Sequence, residues 1–394
     1  MQRPEPFEKA IIAVPEDFKP SSDGTKVIGV FNPGVTTMAD NDGLEKILLM
    51  VRVCEMPVEE SDHYVLLPYL PVENCSNSRF TIMFDKEDKK SLLWHDKKDV
   101  RLANRLSRLR HVSYPIIAKS MDGIDIDWKE EKPSFYPCYE HERFGMEDFR
   151  ITRMEHPYDG PFWAITYVCP HREHMVSTSI AITRDFKRFE RLPYGDEPKP
   201  IFRGVKDIVL FPKKVPLPEQ KYNRHLDSLG NRKLVNAALT RHSSYADHSN
   251  PTIWVTHSAP DSLLHWDSGH RIKVSEDDEI SGTGADVIEL EDMWFGVYHI
   301  IRIDNNVRKY YGALFGLKKD EPHKLIYRSP ILMSPNEFDV GPGFVPNVVY
   351  PSGLVVRDGI ANIYSGEDDT YVSVRKYHLE DLVRFLKQGS LKSN

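Results

Sequence analysis

Short apolar runs recur along the chain, separated by polar clusters rich in Asp, Asn, Gly and Pro. Ile47-Leu48-Leu49-Met50-Val51-Arg52-Val53, Phe162-Trp163-Ala164-Ile165-Thr166-Tyr167-Val168, Ile208-Val209-Leu210-Phe211 and Leu234 to Leu239 read as strands. They are too rich in β-branched and aromatic residues, and too short, to be helices. Residues 1–30 read as irregular and proline-dotted, ending in the apolar run Val27 to Phe31, and Asn32-Pro33-Gly34 reads as a turn. A helical period is strong only in Leu379 to Leu386, which predicts a short C-terminal helix packed on the outside. The pattern is that of an all-β protein.

Ile117 to Gly123 followed by Trp128, Ile180 to Asp185 followed by Phe189, and Val255 to Asp261 followed by Trp266 share one pattern. Each is a strand, a small polar residue, an Asp turn and an aromatic. The three Asp residues, Asp122, Asp185 and Asp261, are spaced by 63 and 76 residues. Such a period exceeds one hairpin and suits a propeller blade of about four strands, so the chain would hold about five units. The expectation is a five-bladed β-propeller forming a single domain over residues 1–394. Residues 55–105, with charge runs around Tyr64 to Tyr69 and Phe80 to Phe84, read as an insertion or peripheral hairpin without chemistry of its own.

Composition narrows the class. Among 394 residues, 40% are apolar and 28% charged, as in soluble globular proteins. The net charge of −7 argues against a nucleic-acid partner, which needs a basic footprint, but leaves room for a local anion pocket. Cys54, Cys75, Cys138 and Cys169 show neither metal-type pairing nor a disulfide framework, so no metal is expected and a reduced compartment is. No apolar leader segment follows Met1, and no run approaches a membrane span, so the expectation is a cytoplasmic protein without a membrane partner.

Candidate chemistry gathers where strands begin or end. Gly145-Met146-Glu147-Asp148-Phe149-Arg150 packs two carboxylates and an arginine ahead of a buried strand. A carboxyl fixed beside a cation can have its proton affinity tuned for acid catalysis, and an Asp–Arg ion pair closing a turn accounts for the same residues. Arg52 lies within an apolar strand, where a charge faces a cavity or lies at an edge. Lys206-Asp207 precedes another strand, Arg241-His242 ends one, Tyr298-His299 closes one, and Gly366-Glu367-Asp368-Asp369-Thr370 is an acidic turn. The glycine-rich loop Glu279 to Asp286 lacks the order of a P-loop or a dinucleotide site. Convergence of such positions, with Trp163, Tyr298 and Tyr310 for sugar faces, would make a carbohydrate pocket.

Gly145-Met146-Glu147-Asp148-Phe149-Arg150 resembles the G-x-E-D-P-R signature of glycoside hydrolase family 130. Asn32-Pro33, Arg52, Ser107-Arg108-Leu109-Arg110 with Ser120-x-Asp122-Gly123, Lys206-Asp207-x-x-Leu210-Phe211-Pro212, Arg241, Gly282-x-Gly284, Tyr298-His299, Pro346-Asn347-Val348-Val349 and Asp369-Thr370 follow in that family's order. The resemblance implies a five-bladed propeller that cleaves a mannose-containing oligosaccharide, a β-mannoside, with inversion. Asp148 would be the proton donor, acting through a sugar hydroxyl. Arg52, Lys206, Asp207, Arg241 and His299 would surround phosphate, and Asn32, Arg108, Glu147, Arg150 and Asp369 would contact sugar. Phosphate would be co-substrate, with no other cofactor and with homo-oligomer formation left open. Departures from the pattern, Phe149 for proline, Asp207 where Asn is common, and Ala285-Asp286 for Pro-Pro, leave a hydrolase as the alternative, with Asp207 or Glu279 as general base. A non-catalytic glycan-binding propeller is the alternative of another class.

Overall fold

Five antiparallel sheets carry most of the chain in the computed structural model, which describes residues 2–39, 43–72, 81–128, 134–156, 160–171, 175–195, 198–218, 233–242, 252–272, 274 and 280–389. The first sheet is built from Thr25–Ala39, Glu45–Pro57, Val112–Ser120 and Ile126–Asp127, in that spatial order. The second runs Glu147–His156, Gly160–His171, Met175–Thr183 and Glu190–Arg191, and the third Val205–Leu210, Leu234–His242, Ile253–Ser258 and His270–Ile272. The fourth runs Ile280–Thr283, Met293–Asp304, Val307–Lys318 and Glu321–Met333. The fifth, Val349–Arg357, Ile360–Glu367 and Tyr371–His378, is completed by the chain's first strand, Glu8–Ala13. Residues 1–30 are thus not simply irregular: backbone pairing with Tyr371–His378 captures a segment whose composition alone does not announce a strand.

The apolar runs are continuous because these sheets are covered on both faces. In Glu45–Pro57, Leu48 and Met50 pack against Phe149 and Ile165 of the second sheet, while Ile47, Leu49, Val51 and Val53 pack against Val372 and Val374 of the fifth. Side chains alternate across a strand, so one run fills two clusters. The same holds around the molecule. Met154 and Ala164 meet Ile208 and Ala238 between the second and third sheets. Leu239 and Val255 meet Trp294 and Phe315 between the third and fourth. Phe295 and Val297 meet Leu354 and Ile363 between the fourth and fifth, where Leu382, Phe385 and Leu386 of the helix Leu379–Gln388 join them. No helix among the described residues is long and apolar enough to cross a membrane.

The recurring Asp turns fall at equivalent places, after the third strand of the first three sheets. Asp122 Oδ1 accepts from the N–H groups of Ile124 and Asp125, and Asp185 Oδ1 from those of Lys187 and Arg188. In the third copy Asp267 takes over, accepting from Gly269 and His257, while Asp261 is exposed.

Asn32-Pro33-Gly34 is not a turn but a bulge inside the single strand Thr25–Ala39, with the pairing register shifting between Phe31 and Gly34. Residues 58–111, between the second and third strands of the first sheet, hold a hairpin, Tyr64–Tyr69 with Met83–Asp88, and a small sheet, Trp94–His95, Asp99–Arg101 and Ser107–Leu109.

Candidate active site

Three sheets open with the same device. The register of the innermost strand shifts between Phe31 and Gly34, between Glu147 and Arg150, and between Lys206 and Val209. In each, two residues stand opposite one, and the first of the two, Asn32, Asp148 or Asp207, has a φ of 50°, 51° or 54°. Left-handed backbone costs an ordinary residue about 1–2 kcal/mol, and Asn and Asp tolerate it best. The bulge re-aims side chains that a regular strand would send to opposite faces. It sets Glu147 and Asp148 together against Arg52, and it sets Lys206 at the cavity with Asp207 just behind.

These residues surround a cavity of about 330 Å³ that draws on all five main sheets and the segments flanking them. On one side the Arg52 Nη1 donates to Asp148 Oδ1 (2.9 Å), Nη2 to Glu147 Oε1 (2.6 Å) and Nε to Ser113 Oγ (2.9 Å). Its guanidinium also lies 4.6 Å from the Phe31 ring centre. Asn32 Nδ2 donates to the same Asp148 oxygen (2.8 Å). Burial would raise the Asp148 proton affinity, but Arg52, Arg150 and Asn32 together hold it below the usual range. For Glu147 burial prevails over Arg52, and its proton affinity is raised.

On the other side Lys206 and Arg241 stand opposite each other on paired strands. Arg241 is engaged from behind: its Nε lies 2.9 Å from Asp207 Oδ2 and its Nη1 3.0 Å from His299 Nε2. Tyr350 OH donates to the other Asp207 oxygen (2.8 Å). Gly282 makes this packing possible, because a Cβ there would collide with Asp207 Oδ2 and the His299 ring. Against the cost of its burial, Arg241 and His299 hold Asp207 well below the carboxylate range, and burial drives His299 down to about 3, so it is neutral at pH 7. Lys206 makes no ion pair within 4 Å among the described residues, and Arg241, then burial, lower its proton affinity.

The remaining wall comes from Lys98, Leu109 and His111 next to and within the inserted segment, Arg308 and Tyr310 of the fourth sheet, and Phe344, Val345, Tyr350 and Asp369. Burial and the Arg52 charge hold His111 neutral. A second cavity, about 400 Å³, lies within the insertion. Its charged lining, including Glu59, Glu60, Asp62 and His95, is solvent-exposed, and it lacks the buried convergent charges of the first.

Asn32, Arg52, Glu147, Asp148, Lys206, Arg241 and Asp369 therefore come together as the sequence suggests. Asp207 and His299 lie one layer behind, supporting Arg241 rather than facing the cavity. Arg150 is also behind the wall: its Nε donates to the Gly284 carbonyl (2.5 Å) and Nη2 to Tyr350 OH (3.2 Å). Arg108 points elsewhere, donating to Asp85 (3.0 Å) and the Pro68 carbonyl (3.2 Å) and lying over Phe144. Trp163 and Tyr298 are core residues, donating to Thr36 Oγ1 and the Val274 carbonyl; of the three aromatics only Tyr310 reaches the cavity. Glu279 lies outside the described residues, as does Cys75; Cys54 and Cys169 are buried free thiols. Sequence reasoning missed Lys98, hidden in a charge run that reads as a solvated turn, and Tyr350, whose only signal is its place after Pro346-Asn347-Val348-Val349.

Comparison with known proteins bears on this arrangement. The family model for glycoside hydrolase family 130, described as beta-1,4-mannooligosaccharide phosphorylase, matches residues 110–388. A beta-1,2-mannobiose phosphorylase of Listeria innocua is 30% identical over 92% of this chain and 93% of its own. A 1,2-beta-oligomannan phosphorylase of Thermoanaerobacter sp. is 28% identical over 69% of this chain and 81% of its own. Among solved structures, the beta-1,2-mannobiose complex of the Listeria innocua beta-1,2-mannobiose phosphorylase aligns with a TM-score of 0.75. That alignment has 25% sequence identity and covers 96% of this chain and 97% of that one.

Proposed function

The chain belongs to glycoside hydrolase family 130, and from that premise we propose that it cleaves β-mannosides by inverting phosphorolysis, releasing α-mannose 1-phosphate. The observation that carries this reading is the cationic side of the cavity. Lys206 and Arg241 face each other, Arg241 is held from behind, and Lys206 has no ion-pair partner among the described residues. Lys206, whose charge its neighbour Arg241 disfavours, gains from an anion placed between the two, and hydrogen bonds to phosphate oxygens are charge-assisted.

In the reaction a phosphate oxygen forms a bond to the anomeric carbon while the bond to the aglycone oxygen breaks. The aglycone oxygen takes a proton that Asp148 supplies through a sugar hydroxyl. Arg52 and Asn32 favour the ionised Asp148. A sugar ring that excludes water and a phosphate that brings negative charge both raise its proton affinity, so the donor gains its proton as the substrates bind. Asn32, Glu147 and Asp369 contact the sugar.

Hydrolysis would need a carboxylate free to activate water. Of the two candidates for that role, Asp207 is committed to Arg241 and Tyr350 and does not line the cavity, which favours phosphate over water activated by Asp207, while Glu279 lies outside the described residues. The five sheets are read as the blades of one propeller formed by the whole chain, a reading supported by the hydrophobic clusters that join each sheet to the next and the fifth to the first. No cofactor beyond phosphate is invoked, and a cytoplasmic setting suits the buried thiols of Cys54 and Cys169. The names of the relatives make β-1,2-mannobiose the first substrate to try. Incubation with it should give mannose 1-phosphate only when phosphate is present. Free mannose released at full rate without phosphate would contradict the reading.

A further inference from the structure

The inserted segment that separates the second and third strands of the first sheet reaches the cavity through Lys98. Its Nζ lies 3.6 Å from Asp369 Oδ2, on the turn between the second and third strands of the fifth sheet. The backbone at both positions is held by hydrogen bonds. The Lys98 carbonyl accepts from the Arg110 N–H (2.8 Å), which ties the lysine to the strand leading into the first sheet. Asp368 and Asp369 are consecutive left-handed residues, with φ of 53° and 47°. That backbone is locked by the segment before the fifth sheet: Val345 N–H donates to the Asp368 carbonyl (3.0 Å), Asp368 N–H to the Val348 carbonyl (2.9 Å), and Val348 N–H to Asp368 Oδ1 (2.9 Å). The Asp368 carboxylate is thus used internally, whereas that of Asp369 faces the cavity with Lys98 as its cation.

Exposure separates this pair from the buried charges. The Lys98 side chain is 43% exposed and that of Asp369 19%, against 8% for Arg52. The pair sits at the mouth, nearer solvent than Arg52. A carboxylate held there by a cation is a fixed acceptor for sugar hydroxyls, and a lysine already paired to it has little charge to offer phosphate. The match to the family model begins at residue 110, so Lys98 lies outside it while Asp369 lies inside.

We propose that Lys98 is a positioning residue for sugar recognition: the insertion uses it to clamp Asp369 across the cavity mouth. This rests on the phosphorolysis reading only for the choice of assay. Asp369 raises the proton affinity of Lys98, which keeps the clamp charged through neutral pH.

The test is steady-state kinetics with β-1,2-mannobiose and inorganic phosphate on Lys98→Met, Lys98→Arg, Asp369→Asn and the double variant Lys98→Met/Asp369→Asn. Lys98→Met should raise KM for mannobiose about 5- to 10-fold while KM for phosphate changes by less than about 2-fold. Lys98→Arg should restore most of the loss. If the lysine acts through Asp369, the double variant should be no worse than Asp369→Asn alone. A rise in phosphate KM with mannobiose KM unchanged would overturn the proposal, and so would additive losses in the double variant. Should Lys98→Met misfold, Lys98→Gln, alone and combined with Asp369→Asn, carries the same test of coupling. A wild type that releases mannose regardless of phosphate would defeat the phosphorolysis reading alone, because mannobiose KM still reports the clamp.

Discussion

The two sides of the cavity are built alike and charged differently. Glu147-Asp148 and Lys206-Asp207 occupy the same bulge at the head of successive sheets, each with an Asp in left-handed backbone. At the first, one arginine, Arg52, is shared by two carboxylates that face the cavity. At the second, the carboxylate is turned inward to hold Arg241, and Lys206 is left without a counter-ion among the described residues. One local geometry therefore yields an acid side and an anion-accepting side, and what separates them is which residue of the bulge is the carboxylate's neighbour.

The largest expected effect is on the acid side. Asp148→Asn should keep the fold and lose turnover by at least ~100-fold, the scale of a positioned general acid. Near-wild-type turnover would remove Asp148 from the mechanism and with it the division of the cavity.

Next come the two cations, which should behave oppositely in stability. Arg241→Ala strands the buried Asp207 charge and should cost about 3–5 kcal/mol in denaturant titration, as when one partner of a buried pair is removed. Lys206→Met removes a cation that its neighbour disfavours, so stability should hold or rise. Both should raise the phosphate requirement, Lys206→Met by the roughly 1.5–3 kcal/mol of a hydrogen bond to a charged group. Equal destabilisation by the two substitutions would contradict the pairing described above.

A smaller effect lies behind the cavity. Asp286 is pushed up to about 8 by burial, against the opposing charge of Arg150 and a hydrogen bond from Thr152 Oγ1 (3.3 Å). A carboxyl whose folded proton affinity exceeds its unfolded value stabilises the fold most when protonated, and that contribution is lost as pH rises from about 4 toward 8. Asp286→Asn should therefore raise the melting temperature at pH 8 more than at pH 5. His299, down to about 3, and the depressed Asp207 act in the other direction, withdrawing stability as pH falls below 6.5 and 4. A pH-independent difference between Asp286→Asn and wild type would remove the buried-acid explanation.

How far the chain could be read beforehand follows from what each residue's neighbours in sequence reveal. The strands, the C-terminal helix and the residues of the cavity floor were legible because apolar runs and charged pairs are local patterns. Asn32-Pro33-Gly34 was misread because proline and glycine punctuate bulges as well as turns, and only the partner strand, with Met50 opposite Gly34, distinguishes them. Glu8–Ala13 was missed because its pairing partner lies at the other end of the chain. Layering was also invisible: Arg150, Asp207 and His299 carry the same residue types as the wall, but their position behind it depends on Gly282 and Gly284, which are remote in sequence from all three. Lys98 was passed over since nothing in a run of charged residues marks the one that crosses to Asp369.

The division of the cavity is tested most directly by titrating inorganic phosphate calorimetrically into the sugar-free protein. Wild type should bind one phosphate per chain, Asp148→Asn should bind it as tightly or more tightly, and Lys206→Met should bind at least ~10-fold more weakly. No binding to wild type, or the same loss in both variants, would contradict an anion-accepting side distinct from the acid side.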